Sequence, residues 1–583
     1  MSVSKTPQFD ALLDPILELL IPHTRVCIWK GKHPHCQSEF AITKEDIEFL
    51  KMLRVPPPNY CPVCRRMRRL VHMGIYQFFK RTCDAPKHGE SMISILSEKC
   101  PFPVYDYKYF ISDEFDPFIF GREYSKEQSP LQTLFELRKE FPMPSFLNRD
   151  PSSINSEYSN GGRNTKNAYY AFGCYGSEDI LYSNMAGSSK NIMDSSYVHK
   201  SEYIYNGLHV ENIYNSSFIY FSKDCVDSIF LFDCRNCVDC FGCVNKRNAK
   251  YCVWNQQLTK EEYKVFMDSL HPISQEKLLE YKQQFWKLVK SLPINASRNT
   301  NSENVQGVQI SNTHDAYDVT SATNSLHIRH ADGAHYHKDS MDMLYSGGHS
   351  NLLYGTTNIG SQSSNVKFSV SSKFCTDCEL VFNSKNLNNC FMCFGLQSKS
   401  YCILNKQYEP EEYFQIVDSI KSEMMKEGEY GDGVGLEFSA QAYNFSLAQM
   451  SFPLSSEEIT ELGGYALEDP ETNAGDVKVL TLNEIPESIE ETKDDIMSFA
   501  IKCETTGRPF RIVESELALL RRFEFPVPTI HPSVRLQNFL KMSPIGKSYL
   551  ALCNKCKEST QSIFNPKEGY LLYCEKCYQQ EVY

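Results

Sequence analysis

The chain has 583 residues and a formal net charge of −12, which predicts several globular domains and argues against generic wrapping of nucleic acid. Its 23 cysteines, without a recognisable export signal, indicate metal ligands or core thiols, and we expect a cytoplasmic protein. The apolar run at 9–29 is interrupted by Asp10, Asp14 and Glu18, so it predicts a short amphipathic helix and no membrane span.

The first predicted domain, residues 1–150, carries a Cys-x2-Cys knuckle of the kind that binds zinc. Its four expected ligands are His33, Cys36, Cys61 and Cys64. His33 is preferred because the two ends of the chain match at an offset of 470 residues, which places His33 opposite Cys503. Cys27 competes for this position, and His35 is the obvious substitute ligand.

A basic cluster surrounds this knuckle, with Tyr76, Phe78 and Phe79 among its members. The basic residues are Arg65, Arg66, Arg68, Arg69, Lys80 and Arg81. Basic and aromatic residues beside a zinc site can hold a nucleic-acid backbone and stack bases, so these six are candidate nucleic-acid contacts. The alternative is a solvated basic face over ordinary core aromatics, which the acidic charge of the whole chain favours.

The middle of the chain contains a duplication, because residues 151–257 and 299–407 repeat the same motifs at an offset of 146–150 residues. Cys240-Phe-Gly-Cys, for example, recurs as Cys390-Phe-Met-Cys. Equivalent positions in the first half follow one another at steps of 12 residues, with one step of nine. They are Asn155, Asn167, Asp179, Asn191, Tyr203, Asn212, Asp224 and Asn236. The step of nine indicates a period built from three-residue units, one of which is dropped.

A period of twelve in three-residue units cannot keep register with the 3.6-residue turn of an α-helix. It suits a narrow β-solenoid, in which each coil adds one rung and equivalent residues stack about 4.8 Å apart. Asn and Asp at the marked positions suit corners, because they tolerate unusual backbone angles. We therefore expect a mainly β protein with minor α structure, in which two tandem narrow β-solenoids are flanked by zinc-binding modules.

Two segments between these regions are predicted as connectors. Residues 258–298 form a helical connector that begins with a capping box of Thr259 and Glu262 and is interrupted by a proline. Residues 408–480 begin with a helix from Pro410 to Met425 and continue as a linker rich in glycine and glutamate.

Cysteines are concentrated in both repeats. The run Cys234, Cys237, Cys240 and Cys243 resembles an iron–sulfur spacing, although its last interval differs. Cys240 and Cys252 stand one predicted rung apart, and so do Cys378, Cys390 and Cys402. We interpret these thiols as small buried side chains, with a metal cluster or disulfides as the alternatives.

The last predicted domain, residues 481–583, contains two Cys-x2-Cys knuckles separated by 17 residues. Its ligands are Cys553, Cys556, Cys574 and Cys577. Four thiolates close a tetrahedral shell around Zn²⁺ and leave no open position, so this pattern predicts a structural zinc ribbon. The chain as a whole is expected to hold about two zinc ions.

A histidine cluster in the second repeat is a further candidate site. Its members are His327, His330, His335, His337 and His349. Stacked rungs could bring some of them together as a metal or acid–base site, although isolated surface histidines are the favoured interpretation.

Several of these motifs resemble a family of uncharacterised zinc-ribbon proteins from candidate-phyla-radiation (Patescibacteria) bacteria. The similar segments are residues 55–69, 250–255, 260–263, 503–512 and 573–582. The resemblance implies a bacterial, intracellular zinc protein and supplies no reaction. His33 stands where that family has cysteine.

The favoured function is a non-enzymatic scaffold whose end-modules dock a partner, either a protein or an RNA or ribonucleoprotein. One alternative is an enzyme that acts on a polysaccharide-type substrate in a solenoid groove. Another is a self-assembling structural protein, because solenoid ends can stack into homo-oligomers.

Overall fold

The protein is described by a computed structural model that covers residues 4–74, 77–146, 152–468, 475–542 and 547–583. Tyr76 lies outside the described residues. Strands account for 32% of the structure and helices for 27%, with cysteine clusters at both ends. The expectation of a β-rich chain is confirmed, but the helical share is larger than minor.

The first repeat forms one large sheet whose neighbouring strands pair in parallel, apart from the antiparallel last pair. Its described strands are Ser159–Asn160, Lys166–Tyr169, Ala171–Phe172, Glu178–Leu181, Asn184–Gly187, Lys190–Met193, Ser196–His199, Glu202–Glu211, Tyr214–Tyr220, Ile229–Phe232, Val238–Val244, Lys250–Val253 and Gln256–Gln257. We call it the first sheet.

The second repeat forms a similar sheet, which again ends in one antiparallel pair. Its described strands are Glu303–Ser311, His314–Thr323, Leu326–Arg329, Asp332–His335, His337–Ser346, Ser350–Thr357, Ser364–Lys367, Thr376–Phe382, Asn388–Phe394, Ser400–Ile403 and Lys406–Gln407. We call it the second sheet.

The predicted period of 12 residues is the register of the first sheet. Ile180 pairs with Ile192, Ile192 with Ile204, and Ile204 with Ser216. The predicted loss of a three-residue unit between Tyr203 and Asn212 is wrong, because pairing across this step keeps the same register. The marker residue moves instead from one corner of the repeat to the next.

The three-residue unit itself is visible in the backbone. Along the first sheet, nearly every third residue has a left-handed φ, for example 52° at Asn164, 54° at Asn167 and 54° at Tyr170. Asn and Asp suit these corners because they adopt positive φ at low cost. Their side chains also bond between rungs, as from Asn167 Nδ2 to Asp179 Oδ1 at 2.8 Å.

The interior of the first sheet is lined by hydroxyl and thiol groups in equivalent positions. Ser228 Oγ donates to the Val226 carbonyl at 2.8 Å and accepts the Cys240 N–H at 3.2 Å. Cys240 Sγ points to the Val238 carbonyl in the same way, at 3.4 Å. Cys240 pairs with Cys252, and both are buried and free. The interpretation of these thiols as buried side chains one rung apart is confirmed.

The remaining elements are helices and short sheets that cover the two large sheets. The described α-helices are Pro7–Glu18, Lys44–Leu53, Pro62–Leu70, Tyr107–Phe110, Pro130–Glu140, Lys260–Leu270, Gln275–Ser291, Pro410–Lys426, Leu447–Ser451, Ser456–Glu461, Glu514–Phe523, Pro532–Met542 and Glu575–Val582. Short 3-10 helices occupy Pro117–Phe120, Leu436–Phe438, Tyr443–Phe445, Leu482–Glu484, Asp494–Ser498 and Pro566–Glu568. None of the described helices combines the length and the apolar character needed to cross a bilayer.

The short strands form small ribbons at the two ends of the chain. The pairs are His23–Val26 with Glu39–Ile42, Phe79–Thr82 with Ser91–Ser94, Val104–Tyr105 with Met143–Pro144, Tyr549–Leu552 with Ser559–Ser562, and Pro293–Asn295 with Leu571–Tyr573. A three-stranded sheet joins Val479–Leu480, Ala500–Lys502 and Pro509–Phe510.

Two predictions about the connectors have opposite outcomes. The capping box is confirmed, since Thr259 N–H donates to Glu262 and the Glu262 N–H donates to Thr259 Oγ1. The predicted linker after Lys426 is wrong from residue 436 onward. Phe438 and Tyr443 there are buried in the same core as the first domain.

The terminal domains pack in a crossed arrangement. Helix Pro62–Leu70 of the first domain contacts strands His337–Ser346 and Ser350–Thr357 of the second sheet. Helices Glu514–Phe523 and Pro532–Met542 of the last domain contact the first sheet. Each end of the chain therefore shares its core with a sheet that is distant from it in sequence.

The interior hydroxyl positions give a direct prediction. Ser228→Ala should lower the free energy of unfolding by about 1–3 kcal/mol, because it leaves the buried Cys240 N–H without an acceptor. Cys240→Ser should change it by less than about 1 kcal/mol, since a hydroxyl at this position can donate to the Val238 carbonyl as Ser228 donates to Val226. Urea unfolding of both variants measures the difference, and a more damaging Cys240→Ser would contradict it.

Candidate metal centres

The N-terminal knuckle is formed where a ribbon meets a helix. Cys61 is the N-cap of helix Pro62–Leu70, and Pro62 occupies the first helical position, which suits its fixed φ and missing N–H. Cys27 directly follows the strand His23–Val26, and its N–H donates to the Ser38 carbonyl at 2.8 Å. The ribbon thereby brings the loop between its two strands against the start of the helix.

Four cysteine sulfurs converge at this point. Those of Cys27, Cys36, Cys61 and Cys64 all lie within 4.8 Å of one another. Cys27 Sγ is 3.7 Å from Cys64 Sγ. A tetrahedral ion about 2.3 Å from each sulfur would separate the sulfurs by about 3.8 Å, so this group can hold a metal ion.

The sequence-based choice of His33 over Cys27 is corrected by this geometry. The group of four contains Cys27, and His33 instead adjoins it, with Nε2 3.3 Å from Cys64 Sγ. The His35 N–H donates to His33 Nδ1 at 3.2 Å, which places the His33 proton on Nε2, facing the sulfur. His35 itself contacts the Pro453 carbonyl at 2.9 Å and is not in the group.

A signal for Cys27 was present in the sequence. Two short strand-like segments flank residues 27–38, and a ribbon places the cysteines at the two ends of its loop beside each other. The offset to Cys503 outweighed this signal, although it compared only one residue with one residue.

The C-terminal group matches the prediction for that end of the chain. The sulfurs of Cys553, Cys556, Cys574 and Cys577 also lie within 4.8 Å of one another. Cys574 is the N-cap of helix Glu575–Val582, as Cys61 is of its helix, and its N–H donates to Cys553 Sγ at 3.3 Å. The positive end of a helix favours thiolates, so both groups suit a cation bound through sulfur.

The thiols of the C-terminal group differ in environment. Burial raises the pKa of Cys553, but the backbone N–H groups of Cys574 and Cys556 outweigh burial and hold that pKa at about 6. Cys553 is therefore a thiolate at neutral pH. Cys556 is exposed, whereas Cys27, Cys61 and Cys64 of the N-terminal group are buried.

The predicted nucleic-acid contacts are mostly buried. Arg65, Arg66, Arg68 and Arg69 are only 5–7% exposed. Arg65 Nε lies 2.5 Å from Asp342 Oδ2, and Arg66 Nε lies 2.9 Å from Asp332 Oδ2. These guanidinium groups bind carboxylates of the second sheet and are not available to phosphates.

The other members of the basic cluster also have internal partners. Arg68 lies 4.0 Å above the Tyr60 ring and donates to the Val434 and Gly433 carbonyls. Arg81 is buried and lies 2.6 Å from Asp84. The prediction of a phosphate-binding surface is wrong for these arginines, and among the six only Lys80 is exposed.

The aromatic residues of the cluster are packing groups as well. Phe78 stacks on Phe172 with ring centroids 5.0 Å apart, and Phe79 meets Phe445 edge-on at 5.8 Å. Because their faces are covered by other rings, they do not form a platform for stacking bases.

The matching ends of the chain use equivalent ion pairs. Arg535, which stands 470 residues after Arg65, is paired with Asp194 of the first sheet and lies 2.8 Å from Glu516. Asp194 precedes Asp342 by 148 residues, within the predicted offset of the duplication. The two terminal domains therefore carry the same buried pair, each on the sheet that the other does not contact.

The histidine cluster does not converge on one site. His327 pairs with Asp339 at 2.9 Å, and His330 pairs with Asp318 at 2.7 Å. His349 stacks on Tyr336 with centroids 4.8 Å apart. None of the five histidines belongs to a metal-binding group among the described residues.

Comparison with known proteins identifies no relative. The sequence matches no model of a protein family, and no curated protein matches it. The account of these sites therefore rests on their geometry.

Buried carboxylates predict a specific response to acid. Burial would raise the pKa of Glu379, but Lys367 and Lys421 outweigh it and lower that pKa to about 2. Burial likewise opposes, and Arg65 and Arg69 outweigh it to lower, the pKa of Asp342. A carboxylate whose folded pKa is depressed stabilises the fold above its unfolded pKa near 4 and loses this contribution as pH falls.

We therefore expect the free energy of unfolding to be steady from about pH 7 to 5 and to fall below about pH 4.5. Glu379 alone should contribute about 3 kcal/mol to this fall. Asp342→Asn should lower stability at pH 7 and flatten the acid limb, because asparagine does not titrate. Glu280→Gln, which removes an exposed partner of Lys277, is the control and should leave the profile unchanged. Chemical unfolding across pH 3–7 tests this, and a flat wild-type profile would refute it.

Proposed function

We propose that this protein is a metal-stabilised, non-enzymatic scaffold in which two closed sulfur sites hold the terminal domains in shape. The observation that carries the proposal is that each group offers four cysteine sulfurs at the start of a helix. Four sulfurs complete a tetrahedral shell and leave no position for substrate or water. Such a centre supports structure and does not perform chemistry.

The ion that suits these groups best is Zn²⁺, one in each. Tetrahedral sites of four thiolates are typical of zinc or of iron–sulfur proteins. The arrangement of a ribbon knuckle followed by a knuckle at a helix N-terminus favours a single ion over a cluster. All cysteines of the chain are free thiols, which is consistent with a reducing compartment such as the cytoplasm.

We further propose that each large sheet is the wall of a narrow β-solenoid. The support is the parallel register of 12 residues and the left-handed corner at nearly every third residue. The second sheet departs from this spacing twice, with a pair 11 residues apart at Glu303 and His314 and a pair 13 apart at His337 and Ser350. Such steps add or remove one corner residue and leave the stacking intact.

The scaffold would present its long ridged faces to a protein or ribonucleoprotein partner, or to a second copy of the chain. The buried knuckle arginines do not serve as nucleic-acid contacts in this proposal, because they are bound to the sheets. The net charge of −12 also makes a large phosphate-binding surface unfavourable. A partner would thus be recognised by shape and hydrogen bonding on the sheets.

Metal content tests the proposal. The purified chain should hold about two zinc ions and no iron, measured by elemental analysis. Cys27→Ser should reduce the content to about one, while His33→Ala should retain both, because His33 contacts a ligand and is not one of the four. A chelator should remove the C-terminal ion first, since Cys556 is exposed. A chain without metal, or with iron, would contradict the proposal.

A further inference from the structure

A cavity of about 490 Å³ lies where the two sheets, the connector between them and the C-terminal helix meet. The residues that matter here are Phe221, Asp233, Arg235, Arg298, Gln309, Ser311, Thr323 and Tyr578. Its volume is in the range of sites that hold small organic ligands, which commonly occur at junctions between domains. It lies apart from both cysteine groups and from the knuckle arginines.

The cavity wall carries more positive than negative charge. Asp233 is 3% exposed and is approached by three guanidinium groups, from Arg298 at 3.0 Å, Arg235 at 3.2 Å and Arg247 at 3.3 Å. Tyr578 donates to the same carboxylate at 3.0 Å. One carboxylate cannot neutralise three guanidinium groups, and Arg235 and Arg298 both face the cavity. An anion placed there would complete the charge balance.

One of these arginines is held in place with a donor unused. Arg298 lies 4.2 Å above the Phe221 ring, and its side chain is 11% exposed. Its Nη1 is buried and has no hydrogen-bond partner among the described residues. A buried charged donor without an acceptor is costly, so a site in this condition favours binding of an oxyanion.

The opposite wall, from the second sheet, is lined by uncharged polar groups. Ser311 Oγ and Thr323 Oγ1 are 3.1 Å apart, and Gln309 Nε2 lies 2.9 Å from His209 Nε2. Tyr197, His209 and Phe221 stack in a row along the first sheet, with centroids 4.5 and 5.3 Å apart. Hydroxyl and amide groups facing ring edges suit a ligand with several hydroxyl groups.

We propose that this cavity binds a small sugar phosphate, either free or as part of a nucleotide. The phosphate lies against Arg235 and Arg298, and the sugar hydroxyls bond to Gln309, Ser311 and Thr323. Arg298 forms the bidentate contact, because its planar guanidinium is already oriented by Phe221 and Asp233. This inference does not depend on the metal sites or on the scaffold function.

Calorimetric titration of the full chain tests the inference, with ribose 5-phosphate, ribose, inorganic phosphate and adenosine monophosphate as probes. Ribose 5-phosphate should bind once per chain and at least about tenfold more tightly than inorganic phosphate, while ribose should not bind at the same concentrations. Tighter binding of adenosine monophosphate than of ribose 5-phosphate identifies a nucleotide as the ligand; the reverse order identifies a free sugar phosphate. Failure of both phosphate esters to bind would overturn the proposal.

Matched variants locate the site. Arg298→Met should weaken ribose 5-phosphate binding by about tenfold or more. Arg247→Met removes a guanidinium from the same carboxylate but not from the cavity lining, and it should change affinity by less than about threefold. Equal losses in both variants would show a general charge effect and overturn the site.

A milder variant keeps the test valid if Arg298→Met does not fold. Thr323→Val keeps the shape of the side chain and removes one hydroxyl. It should weaken ribose 5-phosphate binding several-fold and leave inorganic phosphate binding unchanged, because the hydroxyl contacts only the sugar. Unchanged binding of ribose 5-phosphate would overturn the assignment of the second-sheet wall.

Discussion

The structure depends on buried pairs between arginine and aspartate that join each terminal domain to a sheet. A guanidinium group without a carboxylate would be very unfavourable in the core, so Arg65 permits only one position of its helix relative to Asp342. Arg535 and Asp194 impose the same constraint at the other end of the chain. These pairs supply little net stability compared with an apolar core, but they determine which surfaces meet.

The cysteine groups and the sheets act through these pairs. Each knuckle stands near or at the beginning of the elements that dock its domain, and in the first domain Cys61 and Cys64 begin the same helix that carries Arg65 and Arg66. The carboxylates they meet are corner residues, since Asp194 and Asp342 have left-handed φ values of 47° and 56°. Aspartate is thus favoured at these positions by the backbone and required there by the arginine.

Local periodicity could be predicted from the sequence, and distant partnership could not. The period of 12, the corner residues, the stacked thiols and the capping box of Thr259 depend on neighbours within one or two rungs. The burial of Arg65 depends on Asp342, 277 residues away, and a basic run beside a knuckle has the same appearance whether it faces solvent or a carboxylate. Phe438 appeared to lie in a linker for the same reason, because its partners belong to another domain.

The most direct test is a double-mutant cycle on Arg65→Met and Asp342→Leu, measured by urea unfolding. Each single variant should lose about 3–5 kcal/mol, because it leaves one buried charge alone. The double variant should lose much less than the sum, which gives a coupling energy of at least about 2 kcal/mol. Losses that add within about 0.5 kcal/mol would contradict the claim that this pair joins the domain to the sheet.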